Sequence, residues 1–117
     1  MVKAFLIQPM NGRSEKEILD EREIMRMIFE VKGITLIDSY ITGEPKSNNI
    51  GLWYLGKSIE MMADADVVCL LPGWDKNRGC KLEYECAKNY EMTILEIYYV
   101  PGEVRWREKK YRKVRNR

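Results

Sequence analysis

Residues 65–87 read Ala65-Asp-Val-Val-Cys-Leu-Leu-Pro-Gly-Trp-Asp-Lys-Asn-Arg-Gly-Cys-Lys-Leu-Glu-Tyr-Glu-Cys-Ala87. The apolar run over residues 67–71 is typical of a strand buried in a parallel sheet. A loop punctuated by proline and glycine follows, and a helical pattern covers residues 80–90. In open α/β sheets, ligands bind at the carboxyl ends of strands, where such loops lie. Glu83, near the start of this helix, is therefore in a position suited to chemistry on a bound small molecule.

The N-terminal third predicts a strand, a turn and a long helix. The strand covers residues 3–8, and residues 9–13 form the turn. Ser14 and Glu17 have the spacing of a capping box, in which each side chain bonds the other residue's backbone at a helix start. The helix continues to about Lys32, and Gly33 is suited to end it.

The remaining segments continue the alternation of strands and helices. Residues 34–38 predict a second strand, and residues 39–51 form a polar loop. A second amphipathic helix carries Leu52, Leu55, Ile59 and Met62 at helical spacing. Residues 66–71 form the third strand and residues 92–100 the fourth, which is rich in β-branched and aromatic residues.

This alternation predicts an α/β fold with a mostly parallel central sheet and right-handed crossovers. We expect a flavodoxin-like, or Rossmann-like, three-layer sandwich with strand order 2-1-3-4. That order places the switch point between the first and third strands, so the loops over residues 8–13 and 72–78 should open into one crevice. Residues 1–100 are expected to form the domain, and residues 101–117 a basic C-terminal tail.

The amino-acid composition limits the kinds of catalytic and metal site that the chain can form. The chain of 117 residues has the size of one domain and contains no histidine. Sites of the Ser-His-Asp and Cys-His types are excluded, as are the usual histidine-rich metal sites. We expect no metal and no cofactor, and carboxylates are the natural pair for breaking a bond at the anomeric carbon of a sugar.

The three cysteines, Cys69, Cys80 and Cys86, are odd in number and lack CxxC spacing, which argues against a disulfide framework or a zinc ribbon. Cys69 is expected to be a small core residue. A reactive thiol at Cys80, near a helix start, is the less favoured alternative.

No apolar run approaches the roughly 20 residues that cross a bilayer, and the N-terminus lacks the apolar region of a signal peptide. The expected compartment is therefore the cytoplasm, with no membrane partner. Residues 105–117 hold eight Lys or Arg and one Glu. Such a tail could contact nucleic acid or an acidic partner, although a solvated terminal segment is the simpler interpretation.

Three segments carry a resemblance to a known family. They are residues 6–13, residues 53–60 and the Ala65–Ala87 stretch, in which Gly79, Glu83 and Ala87 follow a strand that begins Ala-Asp. With these segments the chain resembles the nucleoside 2-deoxyribosyltransferase-like superfamily, particularly a small branch of uncharacterised domains that are often encoded by phages or plasmids. The similarity covers nearly all of residues 3–100.

The resemblance implies N-glycosidic bond cleavage or (deoxy)ribosyl transfer on a nucleoside or nucleotide. The glutamate at the position of Glu83 is the family's nucleophile, and the chemistry fits a retaining, two-step displacement. As a first-turn residue it would also be kept ionised by the helix dipole. The resemblance further implies a homo-oligomer, a dimer or larger.

The chain departs from the family pattern at two carboxylates. Ser58 stands where the family has its acid/base Asp, and Asn77 stands in place of a loop Asp. Asp75 and Glu60 are the candidates for the second carboxylate. The alternative function is therefore a non-catalytic protein that binds or sequesters a nucleotide.

Ligand contacts are expected mainly from the two loops. Residues 11–14 could hold a 5′-phosphate at a helix N-terminus, although a turn with a helix cap explains them equally well. Trp74 could stack on a base or simply pack in its loop. The ligand-binding candidates are Gln8, Pro9, Met10, Asn11, Gly12, Arg13, Ser58, Gly73, Trp74, Asn77, Arg78 and Gly79.

Overall fold

The computed structural model describes residues 1–112 as a five-stranded, mostly parallel sheet with three α-helices. The strands are β1 (Val2–Ile7), β2 (Ile34–Leu36), β3 (Val67–Leu70), β4 (Thr93–Val100) and β5 (Glu103–Glu108). The helices are α1 (Glu15–Val31), α2 (Ile50–Met62) and α3 (Arg78–Asn89), and a short 3-10 helix, Trp74–Lys76, precedes α3. Every predicted strand and helix is present, and the fold class is α/β as predicted.

The strand order is β2-β1-β3-β4-β5. The first four strands pair in parallel, which confirms the predicted order 2-1-3-4 and places the switch point between β1 and β3. The side chain of Asp66 joins these two strands at their start, because its Oδ2 accepts a hydrogen bond of 2.8 Å from the Lys3 N–H.

A fifth strand corrects the expectation that the domain ends at residue 100. After a two-residue turn at Pro101 and Gly102, β5 pairs antiparallel with β4. Gly102 has φ +79, which suits the second central position of a type II turn. Val104 and Trp106 alternate with polar residues and pack against the core, where Trp106 meets the ring of Phe29 edge-to-face at 5.8 Å.

Several basic residues of the predicted tail form ion pairs. Arg105 pairs with Glu103 on the same strand, and Arg107 pairs with Glu96 of β4 at 3.0 Å. Lys110 pairs with Glu108 at 2.9 Å. Residues 113–117, the rest of the tail, lie outside the described residues. Within residues 1–112, no helix combines the length and apolarity that crossing a membrane requires.

Each face of the sheet has its own core. On one face, Met25 and Phe29 of α1 pack against Ala4, Leu6 and Cys69. On the other face, residues of α2 and α3 pack against β1, β3 and β4, with contributions from Met62, Cys80, Ala87, Phe5 and Ile94. The helix α1 therefore covers one face of the sheet, and α2 and α3 cover the other.

Local signals position the first helix as predicted. Ser14 caps α1, and its Oγ accepts a hydrogen bond of 3.1 Å from the Glu17 N–H, while the Glu17 side chain completes the capping box. At the other end, Gly33 has φ +74, a left-handed conformation that few other residues tolerate.

Burial disfavours the thiolate form of two of the cysteines. Cys69 is fully buried in β3, and Cys80 is buried in the first turn of α3. Burial raises the pKa of both thiols to about 12, and the nearby Glu83 carboxylate acts in the same direction on Cys80. Cys69 is thus a core residue as predicted, and the raised pKa of Cys80 disfavours the reactive-thiol alternative, because little thiolate forms at neutral pH.

Candidate functional site

The loops after β1 and β3 meet at the carboxyl ends of these strands. The Leu71 N–H donates a hydrogen bond of 3.0 Å to the Ile7 carbonyl. Farther along, a Cβ added to Gly73 would lie 3.5 Å from Cγ of Pro9. Gly73 also has φ +89, so any other residue there would be strained. The two loops predicted to share a crevice therefore approach each other closely.

A cavity of about 460 Å³ opens beside these loops, between the N-termini of α2 and α3. It is lined by Asn11, Asn49, Gly51, Leu52, Leu55, Asn77, Arg78, Gly79 and Leu82. Four of the predicted ligand-binding residues, Asn11, Asn77, Arg78 and Gly79, are thus brought together. The cavity has an apolar wall of leucines and a polar rim.

Asparagine caps begin both helices at this cavity. Asn49 Oδ1 accepts the Leu52 N–H at 3.0 Å, and Asn77 Oδ1 accepts the Cys80 N–H at 3.0 Å. The helix cap accounts for a polar residue at position 77 and does not distinguish Asn from the expected Asp, since both residue types cap helices well. The Arg78 guanidinium reaches toward α2, where its Nη2 lies 3.7 Å from a Cβ added to Gly51. Two helix N-termini and one arginine make this cavity electropositive.

Glu83 is a buried carboxylate, with 8% of its surface exposed. Among residues 1–112, no group donates a hydrogen bond to it and no cation pairs with it within 4.0 Å. It is the sixth residue of α3 and lies outside the first turn, so the expected helix-dipole stabilisation is wrong. Burial instead raises the pKa of Glu83 to about 7, against the opposing charge of Arg22. Glu83 follows Gly79, a lining residue of the cavity, by one helical turn.

Arg22 is a buried cation of α1. Its Nε donates to Gln8 Oε1 at 2.7 Å, and its Nη1 donates to Ser39 Oγ at 2.8 Å. The guanidinium carbon also lies 5.7 Å from the centre of the Tyr40 ring. Burial lowers the pKa of Arg22, and the charges of Asp38 and Glu83 counteract this effect. Arg22 thus joins α1 to the ends of β1 and β2.

Gln8 and Arg13 belong to a second hydrogen-bond network, centred on Glu21. Glu21 Oε1 accepts from Gln8 Nε2 and from Arg13 Nη1, each at 2.8 Å. Its Oε2 accepts from the Tyr99 hydroxyl at 2.7 Å. Gln8 Nε2 also donates to the Ile18 carbonyl, so both of its N–H groups are used within the protein. Gln8 and Arg13 are thus engaged by the fold, and neither lines the cavity at α2 and α3.

Trp74 and Asp75 lie on the other side of the loop after β3. The Trp74 ring packs on Tyr84, with 4.7 Å between ring centres. Together with Gly73 and Asp75, it borders a separate cavity that is otherwise lined mainly by β4 and β5. Asp75 is exposed. Loop packing, the simpler of the two expectations for Trp74, therefore describes its contacts.

The remaining predicted residues are spread around the crevice. Glu60 is exposed on α2, and its carboxylate lies 3.7 Å from the Lys57 ammonium. Ser58 is half-buried on the same helix, while Met10 and Gly12 are exposed in the loop after β1. Glu60, Asp75 and Ser58 are therefore not gathered around the cavity that Arg78 lines.

Sequence reasoning missed Arg22, Ser39 and Asn49. The signal for Arg22 was its place on the apolar stripe of α1, between the buried residues Ile18 and Met25. Asn49 directly precedes a helical pattern, which is a cap signature. Ser39 had no signal, because nothing local distinguishes it in a polar loop. Among residues 1–112, no three Cys, Asp or Glu side chains are grouped so as to hold a metal ion.

The comparison with family models adds one result. Residues 5–96, more than three-quarters of the chain, match the model of a domain of unknown function, DUF4406. The chain belongs to this family. The matched region of the DUF4406 domain begins in β1, ends in β4 and includes Arg22, Glu83 and every residue that lines the cavity between α2 and α3. No curated protein matches the chain.

Proposed function

We propose that this DUF4406 domain is a flavodoxin-like member of the nucleoside 2-deoxyribosyltransferase-like superfamily, which cleaves or transfers an N-glycosidic bond of a nucleoside or nucleotide. Glu83 is the nucleophile. One observation carries the proposal: Glu83 exposes only 8% of its surface, yet its carboxylate has no hydrogen-bond or ion-pair partner among residues 1–112, and its oxygens are not sealed from solvent. Structural carboxylates at such burial are normally paired, so an unpaired one favours a catalytic role.

The chemistry follows from the carboxylate. A Glu83 oxygen attacks the anomeric carbon, and the C–N bond breaks with its electron pair going to the base. The departing base takes a proton from an acid. Water, or the ring nitrogen of a second base, then gives up a proton and displaces Glu83 from the same carbon. Because both displacements invert the carbon, the product retains the configuration of the substrate.

Neither candidate for the second carboxylate lies at the cavity that Arg78 lines. Glu60 already has Lys57 as an ion partner, and Asp75 borders the separate cavity at β4 and β5. The departing base therefore takes its proton from water, and Asp75→Asn should leave the rate of base release unchanged.

The electropositive cavity suits the phosphate end of the substrate. Arg78 and the amides at the starts of α2 and α3 surround it, and helix N-termini favour anions. Gly79 and Glu83 are four residues apart, which is about 6 Å along a helix. A phosphate near Arg78 and a ribose carbon near Glu83 are compatible with that spacing. The 5′-phosphate is therefore assigned to Arg78 and Asn11, rather than to Arg13.

A homo-oligomer is part of the proposal. The helix α2 carries apolar residues around most of its circumference, but only Met62 is buried. Ile50 and Leu52 expose 55% and 62% of their surface, beside the cavity. Contact with a second copy would remove this apolar surface from water. By contrast, the ion pairs of Arg105, Arg107 and Lys110 make the described part of the tail a weak candidate for binding nucleic acid.

A binding protein without turnover is the second candidate function. The observation that favours it is the raised pKa of Glu83, about 7, which leaves much of the carboxyl group protonated at neutral pH. A protonated carboxyl group is a hydrogen-bond donor and a poor nucleophile. Such a site could hold a nucleotide base without breaking its bond to the sugar.

The test is base release from a panel of nucleosides, 5′-nucleotides and NAD, followed by chromatography at pH 8. We expect release from one class of substrate and a loss of about 1,000-fold or more in Glu83→Gln, as for removal of a nucleophile. Glu85→Gln is the matched control, because Glu85 lies on the same helix and pairs with Lys88 at the surface. Its rate should equal that of the native protein.

Two outcomes contradict the enzymatic proposal. Base release that persists in Glu83→Gln would show that Glu83 is not the nucleophile. Absence of release, together with a thermal shift by one panel member, would establish the binding function instead.

A further inference from the structure

The strand β5 forms one edge of the sheet and has an unpaired side. Among residues 1–112 it pairs with β4 alone, and it holds six residues, whereas the opposite edge strand, β2, holds three. A long edge strand presents free N–H and C=O groups that can pair with another extended chain. Proline residues and bulges commonly protect such edges, but β5 contains no proline and pairs with β4 without interruption.

The hydrogen bonds of β5 show which of its backbone groups face outward. In an antiparallel ladder, residues that bond to the partner strand alternate with residues that point away from it. The Lys109 N–H donates to the Ile94 carbonyl at 2.8 Å, so the odd-numbered residues of β5 also face β4. The even-numbered residues, Val104, Trp106 and Glu108, therefore direct their backbone N–H and C=O groups outward.

Two copies of this edge are complementary when they run antiparallel about a two-fold axis at Arg105. In that register, Val104 of each copy lies opposite Trp106 of the other, and both residues have outward backbone groups. Glu103 of each copy lies opposite Arg107 of the other. Cross-strand pairs of these two kinds stabilise antiparallel sheets. Arg105 meets its own copy at the axis, but each of these arginines is already paired with Glu103 of its own strand.

Neither neighbouring register is as complementary. Only shifts of two residues keep the outward backbone groups bonded to each other. One shift centres the axis on Trp106 and places Arg105 opposite Arg107 of the other copy. The other shift centres the axis on Val104 and requires Gly102 to pair as a strand residue, although it has φ +79 and lies in the turn. The residues of β5 therefore favour the register centred on Arg105.

The groove between α1 and β5 supports the same arrangement. One end is a cavity of about 660 Å³, whose wall carries four acidic residues and one arginine: Glu17, Asp20, Glu21, Glu103 and Arg13. The other end is a cavity of about 430 Å³ whose charged residues are Lys32 and Arg105. Both cavities are lined by Ile28 and Val104, so one groove runs beside the edge. A two-fold axis brings the acidic end of one copy to the basic end of the other.

We propose that β5 is a dimerisation edge, at which two copies of this chain pair antiparallel about a two-fold axis at Arg105. The pairing joins two five-stranded sheets into one continuous sheet of ten strands. Because each edge is used up by its own copy, association closes at this interface. The interface is distinct from the apolar surface of α2, and the inference does not depend on the chemistry assigned to Glu83.

The first experiment is disulfide trapping across the axis. A Cys86→Ser background removes the half-buried native thiol, and the other two cysteines are buried. Arg105→Cys places two cysteines opposite each other in a non-hydrogen-bonded pair, where about 4.5 Å between Cα atoms permits a disulfide. We expect most of this variant to form a covalent dimer under mild oxidation. Arg107→Cys is the matched control, because its two copies would lie roughly 14 Å apart along the strands.

The second experiment measures the dimer Kd by sedimentation equilibrium. Val104→Pro removes an outward N–H and leaves the hydrogen bonds to β4 in place, so the Kd should rise about tenfold or more, since each dimer loses two hydrogen bonds. Glu108→Pro is the matched control. Its N–H also points outward, but in this register it lies opposite the turn residue Gly102, so the Kd should not change.

A mixing experiment tests the charge pairs without changing the backbone. Glu103→Arg and Arg107→Glu each place like charges opposite each other in a dimer of identical copies, so each variant alone should associate more weakly than the native protein. An equimolar mixture should recover the native association, because every arginine then lies opposite a glutamate of the other copy.

Three outcomes overturn the inference. The first is a native chain that sediments as a monomer at every concentration. The second is a disulfide that forms in Arg107→Cys as fast as in Arg105→Cys. The third is association that is lost in Leu52→Glu but unchanged in Val104→Pro, which would assign the interface to α2. Trapping still decides the question if Val104→Pro fails to fold, and none of these readouts needs a substrate.

Discussion

Glu21 of α1 and Glu83 of α3 place the same carboxyl group on helices that cover opposite faces of the sheet, with opposite results. Burial by itself raises the pKa of both residues. At Glu21, hydrogen bonds from Tyr99, Gln8 and Arg13 outweigh burial, and the pKa is lowered. At Glu83, Arg22 opposes burial without a hydrogen bond, and the pKa is raised to about 7. The difference shows that hydrogen-bond partners, more than the degree of burial, decide whether a buried carboxylate stabilises the fold or remains available for chemistry.

The largest expected effect is on the pH dependence of base release. If Glu83 acts as a carboxylate, kcat/KM should fall about tenfold per pH unit below its pKa of about 7, or about 100-fold between pH 8 and pH 5. Rates measured across this range with one substrate check the prediction. A profile that is flat from pH 5 to pH 8 would mean that the ionisation of Glu83 is not needed.

A second prediction concerns stability. The pKa of Glu83 is higher in the folded protein than in the unfolded chain, so folding favours the protonated form. Its cost to stability is absent at low pH and grows as the pH rises from about 4.5 to about 7. The free energy of unfolding of Glu83→Gln, relative to that of the native protein, should therefore increase by about 2–3 kcal/mol from pH 5 to pH 8.

Denaturant unfolding at the two pH values measures this gain. Glu85→Gln, at the surface of the same helix, should show no comparable change. An equal effect of Glu83→Gln at both pH values would show that the native carboxyl group is not perturbed by burial.

The third prediction concerns Glu21, whose ionisation stabilises the folded protein, whereas that of Glu83 destabilises it. Its pKa is lower in the folded protein, so its contribution to stability is present above the unfolded value and is lost as the pH falls through the folded value. Glu21→Gln should cost about 2 kcal/mol at pH 7, because charged hydrogen bonds are lost and a donor amide is introduced. Tyr99→Phe removes one of these bonds and should cost about half as much.

Thermal or denaturant unfolding of both variants provides the measurement. The cost of Glu21→Gln should decrease when the measurement is repeated at pH 4. If Glu21→Gln is as stable as the native protein at pH 7, the Glu21 carboxylate does not stabilise the fold, and the predicted contrast with Glu83 is wrong.

The smallest expected effect distinguishes the role of Arg78 in binding phosphate from the structural role of Arg13. Arg78→Gln should raise KM for a 5′-nucleotide about tenfold and leave KM for the nucleoside unchanged, since one charged hydrogen bond is worth roughly 1.5–3 kcal/mol. Arg13→Gln should leave both KM values unchanged and reduce stability, because Arg13 bonds to Glu21 and to the Pro9 carbonyl. A rise in the KM for the 5′-nucleotide in Arg13→Gln would show that the 5′-phosphate binds at the loop after β1 instead.

The fold was predictable because its signals are local. Apolar strands, the Ser14 capping box and Gly33 each act within a few residues, and the alternation of strands and helices then restricts the topology. The strand β5 also carried a local signal, since Val104 and Trp106 alternate with charged residues after a Pro-Gly turn. The many basic residues around them favoured a tail instead. Only the pairing with β4 and the packing of Trp106 on Phe29 make this segment part of the domain.

The candidate site was predictable only in part. The positions of Asn11, Asn77, Arg78 and Gly79 followed from the rule that loops at a switch point converge. The engagement of Gln8 and Arg13 by Glu21 did not follow, because their partners lie on α1 and β4. Nor could the state of Glu83 be predicted, since helix position suggested an ionised carboxylate whereas burial raises its pKa.

The sequence by itself determined the order of the first four strands, the helix caps and the glutamate near the start of α3. These features depend on side-chain periodicity and on hydrogen bonds between near neighbours in the chain. Tertiary structure alone decided which groups surround a buried charge, because Gln8 and Ser39, the hydrogen-bond partners of Arg22, are distant from it in the chain. The electrostatics of a buried group depends on everything within a few ångströms, and only folding brings those groups together.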